Sequence, residues 1–282
     1  MQHANTSSLL MSSRDTLSVF PVILVFLVFL LQGAGWAGWL VVADGTPGKT
    51  AFAIAEMFLI FVLLWNGWRI RRHVHKQTSS ADRQTRAVAT LTFASLALCS
   101  LGDLVNRNFS QTFYAHDRII EHSYLVDSVW FFLPGYALFV AAAWLATRSR
   151  VPAWLRWTSL AVTAAIGIVS FTDLVLPGTS RYVVAVTGSY TVLISLMVPA
   201  ALWLAMTFGR RAWLVCAGAV LATMADALIG HFWLFGHGHY PAIAYLNFVV
   251  YFVSQALVQQ LPLVVLATAA HACPSQTGRP DW

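Results

Sequence analysis

The chain has 282 residues, 58% of them hydrophobic and 10% charged, with 17 Lys and Arg against 11 Asp and Glu. Soluble domains run near 25% charged, so this composition excludes a soluble globular protein and specifies an integral membrane one. The net charge of +6 does not mark a nucleic-acid binder, because the basic residues sit in short loops between apolar runs, and the three cysteines form no C-x-x-C pair.

Residues 1–15 are polar and read as an N-terminal tail. The apolar run that follows, about 16–42, far exceeds the 7–15-residue core of a signal peptide and is expected to be the first membrane helix. Seven further runs reach the roughly 20 residues that cross a bilayer: about 50–70, 87–109, 122–147, 153–176, 182–207, 212–235 and 241–270. Turn-forming or charged stretches separate most of them: Asp44 to Gly48, Pro177-Gly178, Gly209-Arg210-Arg211, and Gly236 to Pro241. The expected fold class is all-α: one polytopic bundle of eight transmembrane helices (16–271), with a C-terminal tail at 272–282 and no internal repeat.

Orientation follows from Lys and Arg. Thirteen of the 17 fall in the N-terminus, the second, fourth and sixth connections and the tail; the other side holds Lys49, Arg107, Arg118 and Arg181. Both termini are therefore expected to be cytoplasmic. His73 and His75 belong to the basic second connection, which suits anionic lipid heads.

This topology assigns a depth to each intramembrane acid. Glu56, Asp103, Asp127, Asp173 and Asp226 all fall in outer halves of their helices, and no Lys or Arg is expected in the deep part of that layer. Asp226 is deepest, roughly 13 Å along its helix from the outer end. Carboxylates at bilayer depth are costly and mark a site or a proton path. Thr92, Ser95, Cys99, Asp103 and Asn106 recur at helical spacing on the third segment; Thr187, Thr191 and Ser195 do so on the sixth, and Asn247, Tyr251, Ser254 and Gln255 on the eighth. The hydroxyl stripes read as hydrogen-bonded glue between helices. Asp103 and Asp226 are the candidate catalytic pair. Glu56, Asn106, Asp127, Tyr190, Tyr245, Asn247 and Gln255 are candidates for holding a headgroup or water.

His231, His237 and His239, with His116 and His122 across the same surface, suggest a zinc centre. Their spacing matches no tight ligand motif, and His231 lies about 140° round the helix from Asp226, so neither metal nor cofactor is expected. Asn108-Phe109-Ser110 is a formal glycosylation sequon, while Gly33, Gly35 and Gly38 with Trp36 and Trp39 suggest close packing in an interfacial aromatic belt.

Three motifs carry a family resemblance: Leu101-Gly102-Asp103-Leu104, Ala225-Asp226-Ala227-Leu228, and Tyr251 through Leu257. Over about residues 50–260 the chain resembles the YhhN-like lysoplasmalogenases. It departs from them at Ala225, where the family has serine, at Gly135-Tyr136, where it tends to glycine–histidine, and in a longer N-terminus and third connection. The resemblance implies an eight-helix membrane hydrolase that opens the vinyl-ether bond of a lysoplasmalogen, giving a fatty aldehyde and glycerophosphocholine or glycerophosphoethanolamine. Its expected partners are the lysophospholipid substrate and membrane lipid, without nucleic acid, in a bacterial inner (plasma) membrane. Two other classes use the same residues: a proton-coupled transporter or sensor, and a zinc-dependent membrane lipid amidase or esterase.

Overall fold

A computed structural model of the chain describes residues 5–40, 42, 46–79, 82–109, 115–120, 122–235 and 241–271. Ser110 of the sequon, Asp44 and Gly45, His237 and His239, and the tail 272–282 lie outside the described residues. The described part is all-helical, and eight of its spans are long and apolar enough to cross a membrane.

The helices are α1 (Asn5–Trp36), α2 (Pro47–Gln77), α3 (Arg83–Arg107), α4 (Val126–Thr147), α5 (Ala153–Leu174), α6 (Arg181–Phe208), α7 (Ala212–Ile229), α8 (Pro241–Val258) and α9 (Leu261–His271). Their ends follow capping chemistry. Thr46 accepts from Lys49 N ahead of Pro47, Asp82 accepts from Thr85 N, and Ser180 accepts from Val183 N. Asn108 ends α3 in the left-handed region at φ 41°.

Three boundaries differ from the sequence expectation. The polar stretch expected as a tail is helical from Asn5, since extending a helix that is already nucleated costs little. At the other end α1 stops at Trp36 rather than near residue 42. The eighth span is two helices, because Pro262 has no N–H to donate and its ring crowds the carbonyl four residues back.

Two of the four apolar clusters among the described residues hold most of the packing. One joins α3, α4, α6 and α7 through residues such as Val88, Phe139, Trp203 and Ala219, and the other joins α1, α2 and α8 through Val28, Leu63 and Phe252. Helices approach closely where a side chain is absent. A Cβ on Gly135 would stand 2.9 Å from Cys99 Sγ and 3.3 Å from Ser95 O, and one on Gly218 would stand 3.0 Å from Ser254 O. Small residues at such crossings are how membrane helices gain contact without a hydrophobic drive.

The hydroxyl stripes do not act as expected. Thr92, Thr187, Thr191 and Ser195 each donate to a carbonyl four residues back in their own helix, and Ser254 donates to Tyr251 O. The carbonyl of the preceding turn is always within reach, so it outcompetes a partner on another helix. Thr223 is different, reaching Ile194 O on α6 at 3.3 Å as well as its own helix.

Gly218→Leu is expected to destabilise the detergent-solubilised protein by about 1–3 kcal/mol through overpacking against backbone. Gly33→Val, at a position with nothing within 4 Å, is expected to change stability by less than about 0.5 kcal/mol. Thermal unfolding of both variants checks the pair.

Candidate active site

The C-terminal ends of α3, α5 and α7 and the N-terminal ends of α4 and α6 meet at one end of the bundle, opposite the C-terminal ends of α2, α4 and α6. Between them lies a cavity of about 50 Å³, whose polar lining includes Asn106, Thr187, Tyr190 and Asp226. That volume holds a few waters at roughly 10–15 Å³ each. Leu125, Leu174, Leu234 and Phe235 supply much of its apolar wall.

Asp226 stands one turn before Gly230, where α7 passes into a five-residue π-helical turn, Gly230–Leu234, closed by Phe235 N donating to Gly230 O at 2.9 Å. Such turns widen the helix and gather at functional sites. The Asp226 Oδ2 atom is buried without a hydrogen-bond partner, as are Asn106 Oδ1 and the hydroxyls of Tyr136 and Tyr190. Both hydroxyls approach Asp226 as hydrogen-bond donors, at the edge of bonding geometry. Among the described residues this region therefore holds several buried polar atoms without a well-formed hydrogen bond.

Asp103 is held differently. Only 8% of it is exposed, and its Oδ2 accepts a 2.7 Å hydrogen bond from the Tyr251 hydroxyl. Asp103 and Asp226 are within electrostatic range of each other, and the Cys99 thiol senses both. Phe132, Tyr136, Tyr190 and Tyr251 form a ring cluster beside the carboxylates, with Phe132 centroids 6.2–6.5 Å from the other three and Tyr136 stacked 6.0 Å from Tyr190. Only Asp226 of the pair lines the cavity; Asp103 does not.

A third buried acid has a partner that the sequence reading denied it. Glu56, 2% exposed, pairs with Arg107 Nη1 and accepts from Gln32 Nε2 at 2.8 Å. Arg107, read as a loop charge, is the last residue of α3 and stands one turn beyond Asp103 at i+4 spacing. That spacing was the available signal. Its guanidinium also lies 5.0 Å from the Phe248 ring centroid.

The remaining candidates scatter. Asn106 and Tyr190 line the cavity, whereas Glu56, Asp127, Tyr245, Asn247 and Gln255 do not. Asp127 accepts from His116 Nε2 at 2.8 Å, Tyr245 packs edge-on to Phe52, and Asp173 is exposed. Asn247 Oδ1 and Gln255 Nε2 are buried without partners on α8. Tyr136 and Phe132 were not singled out for a role, because an aromatic residue on an apolar helix gives no periodic signal. Among the described residues no three His, Cys, Asp or Glu side chains gather to hold a metal; His231 is exposed and packs against Phe232.

The connection before α4 ties this end together. Asp117 accepts from the backbone N–H groups of Ile119, Ile120 and Ser180, and Ser180 Oγ donates to His116 O. Ile120 is buried against Phe171, Val183 and Phe235. Burial works to raise the Asp117 carboxyl, but the donated N–H groups outweigh it and hold the group below its ordinary range.

Together these features define a polytopic membrane protein with a buried polar centre built around two carboxylates. The chain belongs to the YhhN family, whose sequence model matches residues 48–261. No curated protein and no solved structure matches the chain.

Arg107→Ala is expected to destabilise the protein toward the low end of about 3–5 kcal/mol, since it strands Glu56 while a quarter of the arginine side chain was already exposed. The double variant Glu56→Gln, Arg107→Ala is expected to recover part of that loss, measured by unfolding in detergent. Asp117→Ala is expected to lower the thermal midpoint near pH 7. A depressed carboxyl contributes stability above its unfolded pKa of about 3.9 and loses it as pH falls through the folded value. The gap between variant and parent therefore closes under acid, which a melting series across pH tests.

Proposed function

We propose that the protein is a membrane-embedded lipid hydrolase that opens the vinyl-ether bond of a lysoplasmalogen. The observation that carries this reading is Asp226: a carboxyl deep in the bundle that lines a small cavity, met only loosely by the Tyr136 and Tyr190 hydroxyls, with a second carboxylate within electrostatic range. Membership of the YhhN family supports the same reaction class.

Asp226 is the acid: it lines the cavity, and among the described residues no cation pairs with it. Its proton passes to the alkenyl carbon one bond from the ether-bearing carbon, leaving an oxocarbenium ion on the latter. Water in the cavity attacks that carbon and gives up a proton to the regenerated Asp226 carboxylate. The hemiacetal then collapses: its hydroxyl proton moves to the leaving glycerol oxygen, and a fatty aldehyde and a glycerophospho-headgroup result. Asp103, fixed by Tyr251, acts at a short distance as a negative charge that steadies the cation. Asn106 and the Tyr190 hydroxyl orient the water or a glycerol hydroxyl.

The cavity is far smaller than the roughly 300–1,000 Å³ of a ligand pocket, so the lipid enters by displacing the apolar wall, its tail passing sideways between helices. Under the positive-inside orientation the site lies in the outer half of a bacterial inner membrane, with both termini in the cytoplasm.

Purified protein in detergent is expected to release aldehyde from a lysoplasmalogen without any membrane gradient, which a proton-coupled transporter does not do. Asp226→Asn is expected to lower kcat by about 10²–10⁴-fold. Asp103→Asn is expected to abolish most turnover as well, both variants purifying with an unchanged elution profile. Near-normal turnover in either removes that residue from the mechanism.

A further inference from the structure

The end of the bundle opposite the cavity carries a polar feature that the hydrolase reading does not use. Arg156 lies in the first turn of α5 and is only 7% exposed. Its Cζ sits 4.1 Å from the Trp144 ring centroid, and Trp144 in turn meets Trp157 and Trp203 edge-on at 5.2 and 5.9 Å. Stacking occupies the face of a guanidinium and leaves its N–H edge free. Nε and Nη1 are buried with no hydrogen-bond partner. A charged donor left unmet in this way is costly, and among the described residues no acceptor meets these two nitrogens.

The surroundings say what acceptor belongs there. Helical side chains lean toward the N-terminus of their helix, and Arg156 stands within one turn of the first amides of α5. Pro152 precedes them and provides no side-chain cap, leaving the positive end of a helix open to an anion. Arg148 and Arg150 are exposed in the preceding turn. Arg150 lies 4.9 Å from the Phe208 ring, which brings the turn bearing Arg210 and Arg211 alongside. No acid occurs between Asp127 and Asp173, and Asp82, tied to this end because Gln84 bonds Leu145 O, is committed to its own helix cap. Trp154, Trp157 and Trp213 are exposed by 68, 64 and 54%, the pattern of an aromatic belt at a bilayer surface.

We infer that Arg156 and the α5 N-terminus form a site for the phosphate of an anionic phospholipid headgroup, separate from the candidate active site. The fork of Arg156 matches two phosphate oxygens, the helix amides take a third, and the tryptophans hold the glycerol region at the interface. An anionic headgroup fits better than a zwitterionic one because among the described residues no acid pairs with Arg148, Arg150, Arg156, Arg210 or Arg211.

The test titrates the purified full-length chain in detergent with short-chain phosphatidylglycerol, phosphatidylcholine or inorganic phosphate, following the thermal midpoint and tryptophan fluorescence. Phosphatidylglycerol is expected to raise the midpoint saturably, and Arg156→Gln to weaken its binding about tenfold or more, the worth of one charge-assisted hydrogen bond. The double variant Arg148→Gln, Arg150→Gln is expected to keep most of the effect. If inorganic phosphate produces the same Arg156-dependent shift, the phosphate site stands and its natural source is a soluble anion. Equal response to both lipids with no effect of Arg156→Gln overturns the proposal, as does an equal loss in the Arg148, Arg150 variant, which would reduce it to diffuse surface charge. Should Arg156→Gln fail to fold, Arg156→Lys keeps the charge and loses the fork; unchanged affinity there overturns it too.

Discussion

A bilayer interior has no water with which to satisfy a polar group, so each carboxylate in this bundle depends on what neighbouring helices offer it. The three deep acids meet that constraint in three ways. Glu56 is fully engaged, with Arg107 on one side and Gln32 on the other. Asp103 has one firm donor in Tyr251. Asp226, beside the cavity, has only the loosely placed hydroxyls of Tyr136 and Tyr190. The series runs from structural to chemically available, and the reactivity assigned to Asp226 rests on its place at the open end.

Close helix approach is what lets those partners meet. Gly135 allows α4 against Cys99 and Ser95 of α3, and this contact sets Tyr136 and Phe132 beside the carboxylates. The π-helical turn after Asp226 serves the same end of the molecule by interrupting the regular ladder where the cavity needs room. Lacing by Asp117 and Ser180 then holds the connection before α4 down over that end. The outer faces of the bundle expose apolar side chains such as Phe58, Ile166 and Met224.

The two ends of the bundle do different work. One combines acids, hydroxyls and aromatic rings around a small wet hollow. The other combines arginines, exposed tryptophans and an uncapped helix. Both keep buried polar atoms without a well-formed hydrogen bond among the described residues, and those atoms are the ones that the proposed substrate at one end and the inferred anion at the other would meet.

The spans and their order were legible from hydropathy, turn residues and charge alone, because transfer into a bilayer depends on local composition. The motifs around Asp103 and Asp226 likewise carried the family. Local pattern failed where the answer lay between helices. The i+4 spacing of Asp103 and Arg107 was visible, yet Glu56 as the arginine's partner was not. The stripes of hydroxyls were visible, yet their return to their own backbone was not. Which of the polar candidates reach the cavity, and that Tyr136 stands with them, depends on how each helix is rotated and how near it comes to the next. Those rotations are set by glycine contacts and ring packing across the bundle, a property of the assembled helices that no single segment contains.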